Sequence, residues 1–285
     1  MKQLFKDSIV IFLKGLAMGA VDAVPGVSGG TIAFITGIYS RLVSGINDVR
    51  KEIQNTIFAP KQIIQNVKKL DWPFFIPLGL GIAIALFIFS GIMSFFLENF
   101  TANTFAFFAG LIAASAILFV KKLDWVNFQN MLALVLGFIF AFIISEITAT
   151  KIPHTFPIIF ASGMIAICAM ILPGISGSFL LVLLGQYEYV ISAIHEKNLF
   201  VISIFGAGAA LGILSFSKLL NFLLERYHNL TLYSLTGLML GALRVPYLEI
   251  QAASGFQNPI YLLYFIVLGA GIVFGIERLA KMFSD

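Results

Sequence analysis

Long apolar runs alternate with short polar breaks along the whole chain. No charged residue occurs over 74–97, 99–120, 125–145, 152–187, 198–217 or 250–276. At a rise of about 1.5 Å per residue, roughly 20 helical residues cross a hydrocarbon layer of about 30 Å, so every run is long enough to span a membrane. Barrel strands would instead read as alternating segments of about ten residues, a pattern that the Gly and Pro spacing here does not fit. The runs predict a polytopic all-α membrane protein with spans at 74–97, 104–120, 128–146, 199–224, 231–246 and 259–278. The first apolar stretch, Ile9 to Leu13, is cut by Lys14 before it reaches the length of a signal-peptide core, so no cleaved leader is expected.

Comparing the chain with itself adds a repeat. The first half reads Gly15, then Pro25-Gly26-Val27-Ser28-Gly29-Gly30, then Gly37-Ile38-Tyr39; the second reads Gly163, then Pro173-Gly174-Ile175-Ser176-Gly177-Ser178, then Gly185-Gln186-Tyr187. These pairs share an offset of 148 (163 − 15), and further on Gly79, Gly81, Thr104 and Gly110 match Gly206, Gly208, Thr231 and Gly237 at 127 (206 − 79). The difference is a polar insertion around 47–71 in the first half. Each repeat, 1–148 and 149–285, therefore holds one Pro-Gly-x-Ser-Gly hairpin, 8–46 or 157–194, followed by three spans. A hairpin returns to its starting side and three crossings reverse the chain, so the second repeat is expected upside down.

Composition and charge then fix the orientation. The chain has 285 residues, of which 59% are hydrophobic and 11% charged, with a mean hydropathy of +0.98 and a net charge of +4. An ordinary soluble domain, about a quarter charged, is excluded. With the N-terminus inside, Lys2, Lys6, Lys14, Arg41, Arg50, Lys51, Lys61, Lys68, Lys69, Lys121, Lys122, Arg226, Arg278 and Lys281 fall on the cytoplasmic side and only Lys151, Lys197 and Arg244 outside. That asymmetry follows the positive-inside rule and puts both termini in the cytoplasm. The basic residues lie between apolar runs, not on a soluble face, so membrane lipids and not nucleic acid are the expected partners.

The hairpins carry the candidate chemistry. Proline and glycine interrupt a helix, Ser28 or Ser176 can cap the outgoing arm, and Gly29-Gly30 or Gly177-Ser178 would leave N–H donors uncovered. Such a terminus suits a phosphate or carboxylate, and tips dipping from opposite faces can meet near the midplane. The candidate substrate-binding residues are Pro25, Gly26, Ser28, Gly29, Gly30, Thr31, Pro173, Gly174, Ser176, Gly177 and Ser178, with Arg41, Lys218 and Arg244 as further anion contacts. Small-residue helix packing is the competing explanation of the glycines. Asp22, replaced by Met170 in the second repeat, is a candidate carrier of a coupling proton or sodium ion, or else a capping or pairing carboxylate. Cys168 has no partner cysteine and reads as a packing residue. His154, His195 and His228 lack ligand spacing, so no metal and no cofactor are expected.

The run Met18-Gly19-Ala20-Val21-Asp22-Ala23-Val24-Pro25-Gly26-Val27-Ser28-Gly29-Gly30-Thr31, with Gly37-Ile38-Tyr39 and the echo Leu172-Pro173-Gly174-Ile175-Ser176-Gly177, resembles the PopT family of bacterial membrane proteins over essentially the whole chain. The resemblance implies a flippase that returns undecaprenyl phosphate, the lipid carrier of cell-wall synthesis, from the outer to the inner leaflet of the cytoplasmic membrane. The residues alone reach only an anion-binding membrane transporter. Pro25-Gly26-Val27-Ser28 also resembles BacA-type undecaprenyl-pyrophosphate phosphatases, which carry an arginine where Gly29 stands and a Glu-x-x-x-Glu motif. No such glutamate pair occurs here, so an enzyme is the weaker reading. A transporter of a small soluble anion is the third.

Overall fold

The computed structural model describes residues 2–22, 28–121, 127–146, 152–253 and 258–282, and among these the regular structure is all helical. The first half contains α1 (Lys2–Asp22), α2 (Gly29–Ile35), α3 (Tyr39–Phe58), a 3-10 turn (Pro60–Gln62), α4 (Ile63–Lys68), α5 (Trp72–Asn99), α6 (Thr101–Val120) and α7 (Phe128–Ile144). The second contains α8 (Phe156–Ile171), α9 (Gly177–Leu183), α10 (Tyr187–His195), α11 (Leu199–Arg226), α12 (His228–Ala242), α13 (Arg244–Ala252) and α14 (Pro259–Met282).

Helices α5, α6 and α11 are long and apolar enough to cross a membrane, α7, α8 and much of α14 are shorter apolar helices, and α9 with α10 forms a pair bent by 112°. Large apolar side chains face outward, including Phe128 at 79% exposure and Ile260 at 72%. A water-soluble fold would bury such groups; a lipid-solvated one presents them. The chain is a multi-pass helical membrane protein.

Two observations bear on the expected elements. The span expected over 231–246 ends at Ala242, and Arg244 opens a separate helix, α13. Pro246 falls in the first turn of α13, where its missing N–H costs nothing, and Arg244 and Glu249 give that helix a polar character unlike that of α12. The outgoing arms are also broken. α2 and α9 have seven residues each and are followed by Gly37 at φ +73° and Gly185 at φ +63°. Seven residues rise about 10 Å, a third of the hydrocarbon thickness.

Small residues set the helix pairs. The most extensive pairings are α1 with α5, α8 with α11, α7 with α12 and α6 with α14. Gly15 lies against Leu78 and Gly81 against Phe12 in the first pair; Gly163 lies against Phe205 and Gly208 against Phe160 in the second. Gly110 meets Ile266 of α14, and Gly237 meets Leu134 of α7. At each of these six positions an added Cβ would collide with a backbone carbonyl, so the glycines let helix backbones touch, which is the main source of adhesion where lipid is as apolar as leucine. The glycine pairs at offsets 148 and 127 thus make equivalent contacts in the two halves. Between these pairs Phe34 of α2 stacks on Phe119 of α6, with ring centroids 3.8 Å apart.

Candidate functional site

At the first tip, Ser28 stands in extended backbone ahead of α2, and its Oγ accepts a hydrogen bond from the Gly30 N–H at 3.1 Å. The preceding N–H, that of Gly29, donates to Asp22 Oδ1 at 2.6 Å. At the far end of α2, Lys14 Nζ donates to the Thr36 carbonyl at 2.7 Å. Helix α1 thus lays a carboxylate on the N-terminus of α2 and an ammonium on its C-terminus, the arrangement that opposes a helix dipole. The donors expected to be open at Gly29 and Gly30 are occupied from within the chain. Pro25 and Gly26 lie outside the described residues.

The tips touch. Ser28 Oγ donates to the Leu172 carbonyl at 3.1 Å, with the Met170 carbonyl at 3.4 Å, and the Gly174 N–H donates to Thr31 Oγ1 at 2.9 Å. Ser28 and Thr31 are buried, and a Cβ on Gly30 would lie 2.6 Å from the Ile171 carbonyl oxygen. The hydroxyls of the first tip therefore satisfy backbone groups of the second, whose turn needs them because Gly174, at φ +87°, leads the chain out of α8 through left-handed backbone.

The second tip is held differently. Ser176 Oγ accepts from the Phe179 N–H at 3.4 Å and lies 2.8 Å from Ser178 Oγ. Pro173 is buried beside it. Ser162 and Met170 occupy the places of Lys14 and Asp22, so this arm has no charge at either end of α9 from its incoming helix. Ser176 is buried and borders a recess of about 10 Å³, the room of one water molecule, lined also by Ser145, Gly174, Ile175, Phe179 and Val245. Beside it Arg244 pairs with Glu146 and lies 4.1 Å over the Phe142 ring. Its side chain is 19% exposed, and its Nε is buried without a hydrogen-bond acceptor.

A second cavity adjoins this recess. Ile144 and Ile175 line both, and Phe140, Met164, Ile165, Cys168 and Leu180 continue it as an apolar groove of about 280 Å³. The volume lies near the lower end for small-ligand sites. The recess and the apolar groove thus share Ile144 and Ile175 in their walls, and Arg244 is the chain neighbour of the recess residue Val245.

The other expected site residues lie elsewhere. Arg41 grips Asp71 through both carboxylate oxygens, at 2.8 and 3.1 Å, and is half exposed. Lys218 is exposed on α11 and does not line the recess. Gly29 and Gly177 face their own incoming arms: a Cβ would strike the Asp22 carboxylate in the first case and the Ala166 carbonyl in the second. Glu146, Ser145 and the capping role of Lys14 were not among the expected residues. The only sequence signal for Glu146 is its place as the charge that ends the 125–145 run. His154 bonds Gln186 at 3.0 Å and stacks on Tyr189.

Long apolar helices with outward-facing apolar side chains, packed around two short helices, define a polytopic membrane protein. The chain belongs to the undecaprenyl phosphate translocase-like family, which matches residues 18–259. It is 41% identical over 232 residues to the polyprenyl-phosphate transporter of Vibrio cholerae serotype O1, covering 81% of this chain and 75% of that one. It is 29% identical over 252 residues to the polyprenyl-phosphate transporter of Staphylococcus aureus, covering 81% and 83%. No solved structure matches the chain.

Proposed function

We propose that this protein carries undecaprenyl phosphate from the outer to the inner leaflet of the cytoplasmic membrane, as a transporter and not an enzyme. The observation that carries the reading is that a recess bordered by Ser176 and by Arg244's neighbour Val245 shares two wall residues, Ile144 and Ile175, with an apolar groove. A phosphate needs donors and a cation, and a polyprenyl tail needs a wall that can open to lipid. A small soluble anion would have no use for the groove. A phosphatase would need a carboxylate placed to act beside its serine, whereas Asp22 is bonded to Gly29 at the first tip and Met170 stands in its place at the second.

In this reading the chain is two inverted repeats, 1–148 and 149–285, with cytoplasmic termini and re-entrant hairpins at 8–46 and 157–194. The equivalent glycine contacts of the two halves and the seven-residue outgoing helices support it. The second tip then enters from outside, where Arg244 also falls, and the head group binds there. The recess, about 10 Å³ as it stands, must widen for Ser176, Ser178 and the Gly174 turn to receive it, and the phosphate takes the Arg244 guanidinium over from Glu146, as a dianion outcompetes a single carboxylate. Ser28, Thr31 and Gly30 hold the second turn in shape. Asp22, the acidic residue held at the first tip by the Gly29 N–H, carries the coupling proton or sodium ion.

The test is transfer of labelled undecaprenyl phosphate between leaflets of liposomes holding the purified protein, with and without imposed proton and sodium gradients. Protein-dependent, gradient-responsive transfer is expected. Release of inorganic phosphate from the lipid, or transport of free phosphate in its place, would sink the proposal.

A further inference from the structure

The two halves differ most between the outgoing arm and the next span. In the second half α10 ends at His195 and α11 begins at Leu199. In the first, the polar end of α3, a 3-10 turn and α4 intervene before α5 begins at Trp72. This insertion is folded. Buried Asn66 donates from Nδ2 to Thr56 Oγ1 at 3.0 Å, Lys69 pairs with Glu52 at 3.6 Å, and Trp72 Nε1 donates to the Val67 carbonyl at 2.7 Å. The end of α3 and the short α4 thus form an elbow tied by these bonds.

Its apolar side chains are turned outward: Phe58 is 81% exposed, Ile57 70% and Ile64 69%. Its cations are unevenly answered. Lys51 has Asp48 and Lys69 has Glu52, but Arg50 bonds only the neutral Asn47 and Gln54, and exposed Lys61 and Lys68 have no ion pair among the described residues. Ile64 and Lys68 are four residues apart on α4 and so share one side of it, with Lys61 in the 3-10 turn just before. α4 stops at Lys68, and the apolar helix α5 starts at Trp72, so the elbow is tied to the point where the chain enters the membrane.

We propose that residues 47–71 lie in the plane of the membrane surface and bind anionic phospholipid head groups through Lys61, Lys68 and Arg50, with Ile57, Phe58 and Ile64 in the acyl boundary. Exposed aliphatic and aromatic groups flanked by lysines are the composition of in-plane amphipathic helices, in which lysine stems lie along apolar surface while the ammonium reaches the phosphate. The tether to α5 favours this occupant over a soluble protein, because the patch cannot leave the interface. On the orientation proposed above, this is the cytoplasmic leaflet. The elbow would be a lipid site distinct from the recess at Ser176.

The experiment uses the full chain with Cys168→Ser and Gln65→Cys, labelled at position 65 with an environment-sensitive fluorophore and reconstituted into phosphatidylcholine vesicles with or without phosphatidylglycerol. Expected are a blue-shifted emission quenched by brominated lipid, and a preference for phosphatidylglycerol that falls about fivefold per lysine removed in Lys61→Gln and Lys61→Gln/Lys68→Gln. Arg244→Gln, which alters the recess, should leave that preference intact. The proposal is overturned if the label is reached equally by an aqueous quencher in both vesicles, if the lysine variants keep the full preference, or if Arg244→Gln alone abolishes it. A spectral change seen only on adding a soluble protein would also overturn it.

Discussion

The first hairpin tip is clamped by charged side chains of its own incoming helix and the second is not, although both carry Pro-Gly-x-Ser-Gly. At the first, Asp22 and Lys14 clamp the two ends of α2, and Ser28 and Thr31 point their hydroxyls at Leu172 and Gly174 of the other tip. At the second, Ser176 and Ser178 bond each other at the edge of a recess shared with Arg244's neighbour Val245. The same five-residue pattern is therefore clamped by charge in one place and borders a small recess in the other. What divides them is two charges on the incoming helix, absent where Ser162 and Met170 stand.

The contact between the tips is the part most easily broken. A Cβ on Gly30 would lie 2.6 Å from the Ile171 carbonyl oxygen and 2.9 Å from that of Met170, both backbone, with no flexible side chain to move away. Gly30→Val should therefore cost at least about 3 kcal/mol and appear as lost yield and a lowered thermal midpoint. Gly206→Ala is the control, since nothing lies within 4 Å of its added Cβ. Equal stability of the two variants would mean that the tips do not lean on each other.

Arg244→Gln should come next in size, and it acts on transport instead of folding. Removing a charge-assisted contact to phosphate is worth about 1.5–3 kcal/mol, or roughly a ten- to hundredfold loss in lipid affinity. Glu146→Gln removes the competitor and should leave affinity equal or higher. If Arg244 served only to pair with Glu146, the two variants would lose stability together and bind the lipid alike, which lipid-binding titrations in nanodiscs would reveal.

Ser28→Ala and Ser176→Ala sharpen the contrast. Ser28→Ala strands the buried Gly30 N–H and the Leu172 carbonyl, so it should lower stability by about 1–3 kcal/mol. Ser176→Ala gives up one long capping bond and should cost about 0.5–1 kcal/mol of stability while reducing transport several-fold. Thermal denaturation and leaflet exchange measured on the same preparations separate the roles. The reverse order would assign the binding role to the first tip.

The long uncharged runs located the helices, because in lipid a helix must be apolar along its length, and constant offsets between glycines matched the helices that pack alike. Length alone missed the break at Leu243, where Arg244 and Pro246 end a run that was still largely apolar. Which tip is clamped was not legible from the motif, because the answer lies in side chains that reach across from elsewhere. Lys14 finds Thr36, and Arg244 finds Glu146, through folding that no local pattern encodes. Arg41 shows the converse: a basic residue at the right height is engaged by Asp71.

The smallest change to the fold is expected from Asp22→Asn, and it decides what the clamp on the first tip is for. The amide keeps an oxygen that can accept from the Gly29 N–H now bonded to Oδ1 at 2.6 Å, so the cap survives and stability should fall by no more than a few tenths of a kcal/mol. Asp22→Ala removes the acceptor altogether and should cost about 1 kcal/mol. What the amide cannot do is take up a proton or hold a sodium ion with a full charge. If Asp22 couples transport to a gradient, Asp22→Asn should bind the lipid normally and exchange it between leaflets at a rate that no longer responds to imposed proton or sodium gradients. If the carboxylate only neutralises the N-terminus of α2, the variant should remain gradient-driven, and Asp22→Ala should be the one that fails, through its stability. Retained gradient dependence in a well-folded Asp22→Asn protein would leave the clamped tip as a purely structural partner of the other.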